Sequence, residues 1–258
     1  MKPYSKDFEV QYYEINKYRE ATPISLLNYL EETAISHSDA VGYGMERLYN
    51  DGIGWVLNRW LVEISRYPMW NEKITVETWP SSFERFYANR EFLVKDSGGN
   101  IIAKAASLWI FLNINSRRPI RIPIELGDVY GIHPVRTFDC TFGKLESADK
   151  YTHNRDFFIR KSDIDTNNHV NNAKYLDWML EAIPDDIYHN YTLSTLEIQY
   201  KKELTYGTKV HSGCIDAGTD GHGIAFIHGI SNDEGTECAL GKTTWIKRSS
   251  QELQGITA

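Results

Sequence analysis

Five carboxylate, amide or imidazole side chains fall within seven residues in one stretch of this chain: Asp163, Asp165, Asn167, Asn168 and His169. A carboxylate can accept a proton or act as a nucleophile, an amide can hold a carbonyl oxygen, and an imidazole does general acid–base work near neutral pH. The next residues read as a helix, with Val170, Ala173, Leu176, Trp178, Met179 and Leu180 forming an apolar face near the 3.6-residue period. Asn171 or Asn172 is placed to cap that helix, and Pro184 lies just past its end. The polar cluster therefore sits in a loop at a helix mouth. Free backbone N–H groups and the positive dipole end there suit a developing oxyanion. Two other readings use the same residues. Asp-x-Asp-x-Asn also opens a calcium-binding EF-hand loop, but counted from Asp163 the sixth position is Asn168 rather than Gly and the twelfth is Lys174 rather than Glu. The calcium reading fails at both. The other alternative is a capping loop whose Asp and Asn side chains only satisfy backbone donors.

With 258 residues, 41% hydrophobic and 13% aromatic, the chain can build one large core or two ordinary ones. The longest apolar-leaning run, Ile101 to Ile114, is interrupted by Lys104, Ser107 and Asn113 and is too short to span a bilayer. No apolar run follows the first seven residues as it would in a signal peptide, and no Arg/Ser-rich transit segment is present. Cys140, Cys214 and Cys238 are odd in number and form no C-x-x-C pair, which argues against a disulfide framework and against a zinc knuckle. No metal or cofactor is expected, and a reducing cytoplasm fits. The net charge of −7 speaks against general binding to nucleic acid or to an anionic membrane. An acidic partner would need a local basic patch. The candidates are Arg117, Arg118 and Arg121; Arg155, Arg160 and Lys161; Lys201 and Lys202; and Lys247 and Arg248.

Taken in order, Phe8 to Tyr13 alternates like a strand, and Thr22-Pro23 starts a helix running to about His37 with Ile24, Leu27, Leu30 and Ala34 on one face. Strands are expected over Trp55–Ile64, Lys73–Trp79, Arg85–Lys95 and Ile101–Asn113, the last two joined by the turn Asp96 to Asn100. The second half repeats this order. An offset of 136 places Trp109 on Trp245, Ala103 on Ala239, Gly99 on Gly235 and Lys73 on Lys209. An offset of 146 in the helical part places Tyr29 on Tyr175 and Leu30 on Leu176. The pattern is a duplicated helix-plus-sheet module. Residues 1–115 form the first copy, 116–150 a connector and 151–258 the second copy. At these offsets Asn167 faces Ala21, His169 faces Pro23 and Glu203 faces Tyr67, so polar chemistry is confined to the second copy.

At this point the chain resembles a known family. The run Asp165 to Tyr175, Asp-x-Asn-x-His-Val-Asn-Asn-x-Lys-Tyr, is similar to the active-site segment of acyl-acyl carrier protein thioesterases of the plant plastid type and their bacterial relatives. Asn113-Ile-Asn-Ser-Arg-Arg-Pro119 and Leu196 to Glu203 resemble two further segments of that family, and the likeness covers nearly the whole chain. It implies an α+β tandem (double) hot-dog fold, each half a long helix wrapped by an antiparallel sheet. It implies hydrolysis of the thioester between a fatty acyl chain and its acyl carrier protein. The catalytic set carried over is Asp165, Asn167, His169 and Glu203. Many plant members have a Cys directly after that Glu, where this chain has Leu204, so a Cys–His mechanism is not available at this position.

On this reading Glu203 is the base for a water, His169 and Asn167 orient water and thioester, and His169 protonates the departing sulfur. Asp165 either orients the Asn/His pair or is itself the nucleophile. Backbone N–H groups at the helix start hold the oxyanion. The first half supplies the acyl slot, and Lys201, Lys202 and Lys174 receive the acidic carrier, with Arg117 and Arg118 as a second location. The missing transit peptide points to a bacterial, cytoplasmic form. Alternatives are an acyl-coenzyme A thioesterase and a non-hydrolytic acyl-carrier-binding module; a homodimer of the whole chain stays open.

Overall fold

The computed structural model describes residues 2–139, 142–220 and 223–249. Cys140 lies outside the described residues. The chain divides into two compact units, Met1–Thr141 and Phe142–Ala258.

The first unit runs β1 (Tyr4–Glu9), α1 (Pro23–Ala40), α2 (Met45–Asn50), β2 (Ile53–Ile64), β3 (Lys73–Glu84), β4 (Tyr87–Asp96), β5 (Ile101–Asn113), β6 (Arg118–Pro119) and α3 (Ile124–Tyr130). Its antiparallel strands lie in the order β1-β3-β4-β5-β2, with β6 on β5. Helix α1 starts where Thr22 and Pro23 predict: Thr22 Oγ1 accepts the Ser25 N–H at 3.1 Å, and Pro23 occupies the first turn, where no N–H is needed. Its face of Leu26, Leu27, Leu30 and Ala34 is buried, and it packs on β1 and β3. Each buried leucine contributes about 1.5–3 kcal/mol. Segment 116–130 packs into this unit, with Ile122, Leu126 and Tyr130 buried against Ala88 and Phe111.

Two expectations shift here. The first strand lies at Tyr4–Glu9, and Tyr12–Glu14 is a 3₁₀ turn. Strand β4 begins at Tyr87, because Arg85 and Phe86 make the β3–β4 turn with Arg85 at φ 56°. Nothing in Glu-Arg-Phe-Tyr announces a tight turn, since Asn or Gly usually takes such a position.

The second unit runs β7 (His153–Phe158), α4 (Asn172–Glu181), α5 (Asp185–Asn190), β8 (Tyr191–Tyr200), β9 (Lys209–Asp220), β10 (Gly223–Asn232) and β11 (Glu237–Lys247). The strand order β7-β9-β10-β11-β8 mirrors the first unit. Helix α4 buries Ala173, Tyr175, Leu176, Trp178, Met179 and Leu180 and packs on β7, β9 and β10. Pro184 does more than stop it: it opens α5.

The strands repeat at the offset of 136, with β3 and β9 starting at Lys73 and Lys209 and β4 and β10 at Tyr87 and Gly223. The helical part repeats at 149 rather than 146. Thr22 and Asn171 are the two N-caps, and Arg19 and Asn168 hold the matching left-handed positions. A slip of three residues is nearly one helical turn, so it keeps the apolar faces in step and leaves the sequence match looking sound. Asp165 therefore answers Asn16, Asn167 answers Tyr18 and His169 answers Glu20.

Two core histidines give the fold a pH dependence. Burial pushes the His228 imidazole down to about 3, and burial followed by the Arg90 charge pushes His37 down to about 4. Both lie below the ordinary value, so between pH 6.5 and these values the unfolded chain binds protons that the folded one refuses. Stability is complete above pH 6.5 and falls on acidification, by up to about 1.4 kcal/mol per pH unit for each fully shifted group. Urea midpoints between pH 7 and 4 are expected to show this fall, with a shallower slope in His228→Gln. An unchanged slope in that variant would assign the acid sensitivity elsewhere.

Candidate active site

The loop before α4 builds itself around one side-chain oxygen. Asp165 Oδ1 accepts the backbone N–H groups of Asn167 at 2.8 Å and His169 at 3.2 Å. The Asp165 N–H donates to the His169 carbonyl at 2.8 Å, and the Asn168 N–H to the Asp165 carbonyl at 3.2 Å. Asn168 closes the turn at φ 62°, a conformation Asn tolerates better than most residues. A bridge between Ile164 and Val170 seals the base. The His169 backbone is thus fixed before its side chain does anything.

That side chain is half-buried, and its Nε2 lies 3.2 Å from Glu203 Oε2, on a carboxylate that is 46% exposed. Glu203 stands just past β8, in a stretch without regular structure, yet its backbone is held on both sides. The Lys202 carbonyl accepts from the Tyr175 hydroxyl at 3.3 Å, and the Leu204 carbonyl accepts from the Val170 N–H at 2.9 Å. Val170 adjoins His169 and Tyr175 lies on α4, so one backbone frame carries both members of the pair. Burial above all raises the Tyr175 hydroxyl far past the ordinary phenol range, so it stays a donor. The Tyr175 hydroxyl thus holds the backbone next to Glu203, a contact that its place on the helix's apolar face concealed. In the sequence Tyr175 stands at the end of the run Asp165 to Tyr175, one turn from the Asn171 cap. Tyr175→Phe is expected to lower kcat about tenfold with KM within twofold and to cost about 1 kcal/mol of stability. Steady-state kinetics and urea unfolding check both; equal loss in kcat and gain in KM would argue for disturbed substrate binding instead.

The structure brings His169 and Glu203 together, and Asn167 stands two residues before His169 in the same loop. The Asn167 side chain is exposed, with Nδ2 3.5 Å from Asp165 Oδ2. Asp163 acts as the cap the sequence suggested. Nearly fully buried, it accepts from the Arg160 N–H at 2.8 Å and pairs with the Arg160 guanidinium at 3.1 Å. Asn171 is the N-cap, accepting the Ala173 N–H at 2.9 Å. One expectation needs correcting. The donors at the helix start are largely committed: Val170 to Leu204, Asn171 to Asp163, Ala173 to the Asn171 side chain and Lys174 to the Asn171 carbonyl. Only Asn172 in that run has its N–H without a protein acceptor among the described residues. Two of the three lysines near the site, Lys174 and Lys201, are also engaged. Lys174 lies 3.3 Å from Asp177 and 4.0 Å from Asp163, and Lys201 pairs with Glu237.

The first unit contains the same loop with other side chains. Asn16 Oδ1 accepts from Tyr18 N–H at 2.8 Å and Glu20 N–H at 3.2 Å, and Asn16 N–H donates to the Glu20 carbonyl at 2.8 Å. A neutral amide therefore suffices to fold this loop. Capping explains an oxygen at position 165. It does not explain an imidazole at 169 facing a carboxylate at 203, where the first copy has Glu20 and Tyr67.

Residues 1–130 match the acyl-ACP thioesterase N-terminal domain and residues 146–247 the acyl-ACP thioesterase C-terminal domain. The chain is 30% identical over 99% of its length to the chloroplastic palmitoyl-acyl carrier protein thioesterase of Gossypium hirsutum, and spans 67% of that protein. It is 28% identical over 98% of its length to the chloroplastic dodecanoyl-[acyl-carrier-protein] hydrolase of Cinnamomum camphora, of which it spans 70%. For others, such as the FATB2 hydrolase of Cuphea viscosissima, it spans 63%. In three dimensions it superposes on the 12:0-ACP thioesterase of Umbellularia californica with a TM-score of 0.84 at 25% identity, covering 95% of this chain and 94% of that one. An acyl-ACP thioesterase from Bacteroides thetaiotaomicron shares the fold, with a TM-score of 0.82 at 23% identity over 93% of this chain and 96% of that one. The duplicated helix-and-sheet units are a double hot-dog fold, and the chain belongs to the acyl-ACP thioesterase family of thioester hydrolases.

Proposed function

We propose that this chain hydrolyses the thioester of fatty acyl-acyl carrier protein, releasing the free fatty acid, through Glu203, His169 and Asn167 with Asp165 as their organiser. The observation that carries the reading is the His169–Glu203 pair at 3.2 Å, held from both sides by the α4 frame in the second unit. Glu203 takes a proton from water as its oxygen attacks the thioester carbon. The Asn167 amide and the Asn172 N–H donate to the carbonyl oxygen as it gains negative charge. The C–S bond then breaks, and the proton passes through His169 to the thiolate, which leaves as the carrier's free thiol. Thiolate is a good leaving group, so the chief demands are an activated water and a held oxyanion. Asp165 spends Oδ1 on two backbone donors, which favours the organiser role over nucleophilic attack.

Among the described residues no helix is long and apolar enough to cross a membrane, and Cys214 and Cys238 are buried free thiols. A reducing cytoplasm agrees with both thiols.

The test is thiol release from acyl carrier proteins loaded with short to long chains. Release at one favoured length supports the reading. No release at any length from folded protein removes it, and acyl-coenzyme A becomes the next substrate; binding without turnover of either would leave a carrier-binding module.

A further inference from the structure

The turn between β3 and β4 and the strap after β6 form a cationic surface on the first unit that the catalytic chemistry does not use. A cavity of about 490 Å³ is lined there by Arg85, Phe86, Pro119 and Arg121. Its walls are set by backbone bonds. The Ile122 N–H donates to the Arg85 carbonyl at 2.6 Å, the Phe111 N–H to the Phe86 carbonyl at 2.8 Å, and the Ile120 N–H to the Phe111 carbonyl at 3.0 Å. Ile122 points into the core and Ile120 packs against it, so Arg121 between them is turned outward. Arg85 holds φ 56°, a backbone state that few residues other than Gly, Asn and Asp adopt without cost. Its guanidinium lies over the Phe86 ring at 5.8 Å, and Phe86 contacts Tyr87 with ring centres 4.5 Å apart. Arg118 on β6 extends the patch.

Arg85, Arg118 and Arg121 are exposed and have no carboxylate partner among the described residues. That sets them apart from Lys174 and Lys201, which are paired. Three uncompensated guanidinium groups in a chain of net charge −7 form a local field opposite to that of the whole. Arginine beside the half-buried Phe86 and the exposed Tyr87 is also the composition that anchors protein interfaces.

We propose that this Arg85–Arg121 surface is where the acidic carrier protein docks, its carboxylates meeting the guanidinium groups while Phe86 and Tyr87 give apolar contact. The proposal rests on the carrier-protein reading above. Charge complementarity supports it: an acidic partner is repelled by the chain's net charge and is attracted here.

The test compares wild type with Arg85→Glu/Arg121→Glu on three esters of the acyl length that wild type turns over fastest: acyl-acyl carrier protein, acyl-coenzyme A and the S-acyl N-acetylcysteamine ester. KM for acyl-acyl carrier protein is expected to rise at least tenfold with kcat within twofold, while the rate on the small neutral ester stays within twofold. The kcat/KM of wild type should fall with added salt, and that of the variant should fall less steeply. Arg85→Lys/Arg121→Lys should recover most of the loss. An unchanged KM for the carrier substrate overturns the proposal. So does an equal rise for coenzyme A esters, which would assign the surface to phosphate groups. Wild type that cleaves the small ester but no carrier substrate would overturn the carrier reading itself, a result distinct from either.

Discussion

Glu203→Gln is expected to lower kcat for acyl-acyl carrier protein about a thousandfold, with KM within threefold and no loss of stability. The magnitude is that of a lost general base, 10² to 10⁴ in rate, or about 4 kcal/mol of barrier for a thousandfold loss. The amide keeps the shape of the carboxylate and can still hydrogen-bond His169, so the pair's geometry survives while the base does not. Stability should hold because the Glu203 side chain is 46% exposed and its backbone is fixed by Tyr175 and Val170. Single-turnover release of thiol from a loaded carrier isolates the chemical step. A variant within threefold of wild type would move the base to His169, and His169→Ala would then become the more damaging change.

The second large effect is a contrast at one position. Asp165→Ala is expected to cost about 2 kcal/mol of stability and at least a hundredfold in kcat, because two backbone N–H groups lose their shared acceptor and the turn that presents Asn167 and His169 loosens. Asp165→Asn is expected to keep stability within about 0.5 kcal/mol and kcat within tenfold. The first unit has already made this substitution. Asn16 holds the same two donors at the same 2.8 and 3.2 Å as Asp165 does. Charge is therefore not needed to fold the loop, and the asparagine variant isolates what charge does for the chemistry. If Asp165 formed an acyl anhydride instead, the asparagine variant would be as inactive as alanine. Wild type in oxygen-18 water would then leave label in its own carboxylate after a single turnover.

The duplicated loop shows how much of Asp163 to His169 serves the fold alone. Both copies use an oxygen at the same point, a left-handed residue three positions on and an N-cap after it: Asn16, Arg19 and Thr22 in one, Asp165, Asn168 and Asn171 in the other. What differs is the pair of side chains that the frame presents.

The sequence by itself determined most of the elements and which polar side chains the second copy carries in its loop. Thr22-Pro23, Asp96 to Asn100 and the apolar faces of α1 and α4 are local signals, and local propensity acts within a few residues. The strand offset of 136 was legible because alternation is strict, and a shift by one residue turns every side chain over. The helical offset was misread by three residues because a helix nearly repeats there. The β3–β4 turn at Arg85 was missed because its left-handed residue is an arginine. Tertiary structure alone decided that His169 and Glu203 meet at 3.2 Å, since more than thirty residues of chain separate them and only the packing of α4 on its sheet closes the distance. It also decided that the Tyr175 hydroxyl turns toward the Lys202 carbonyl, and that the helix-start N–H groups are mostly spoken for. Those are facts about partners distant along the chain, and no pattern of neighbouring residues encodes which of them will be close in space.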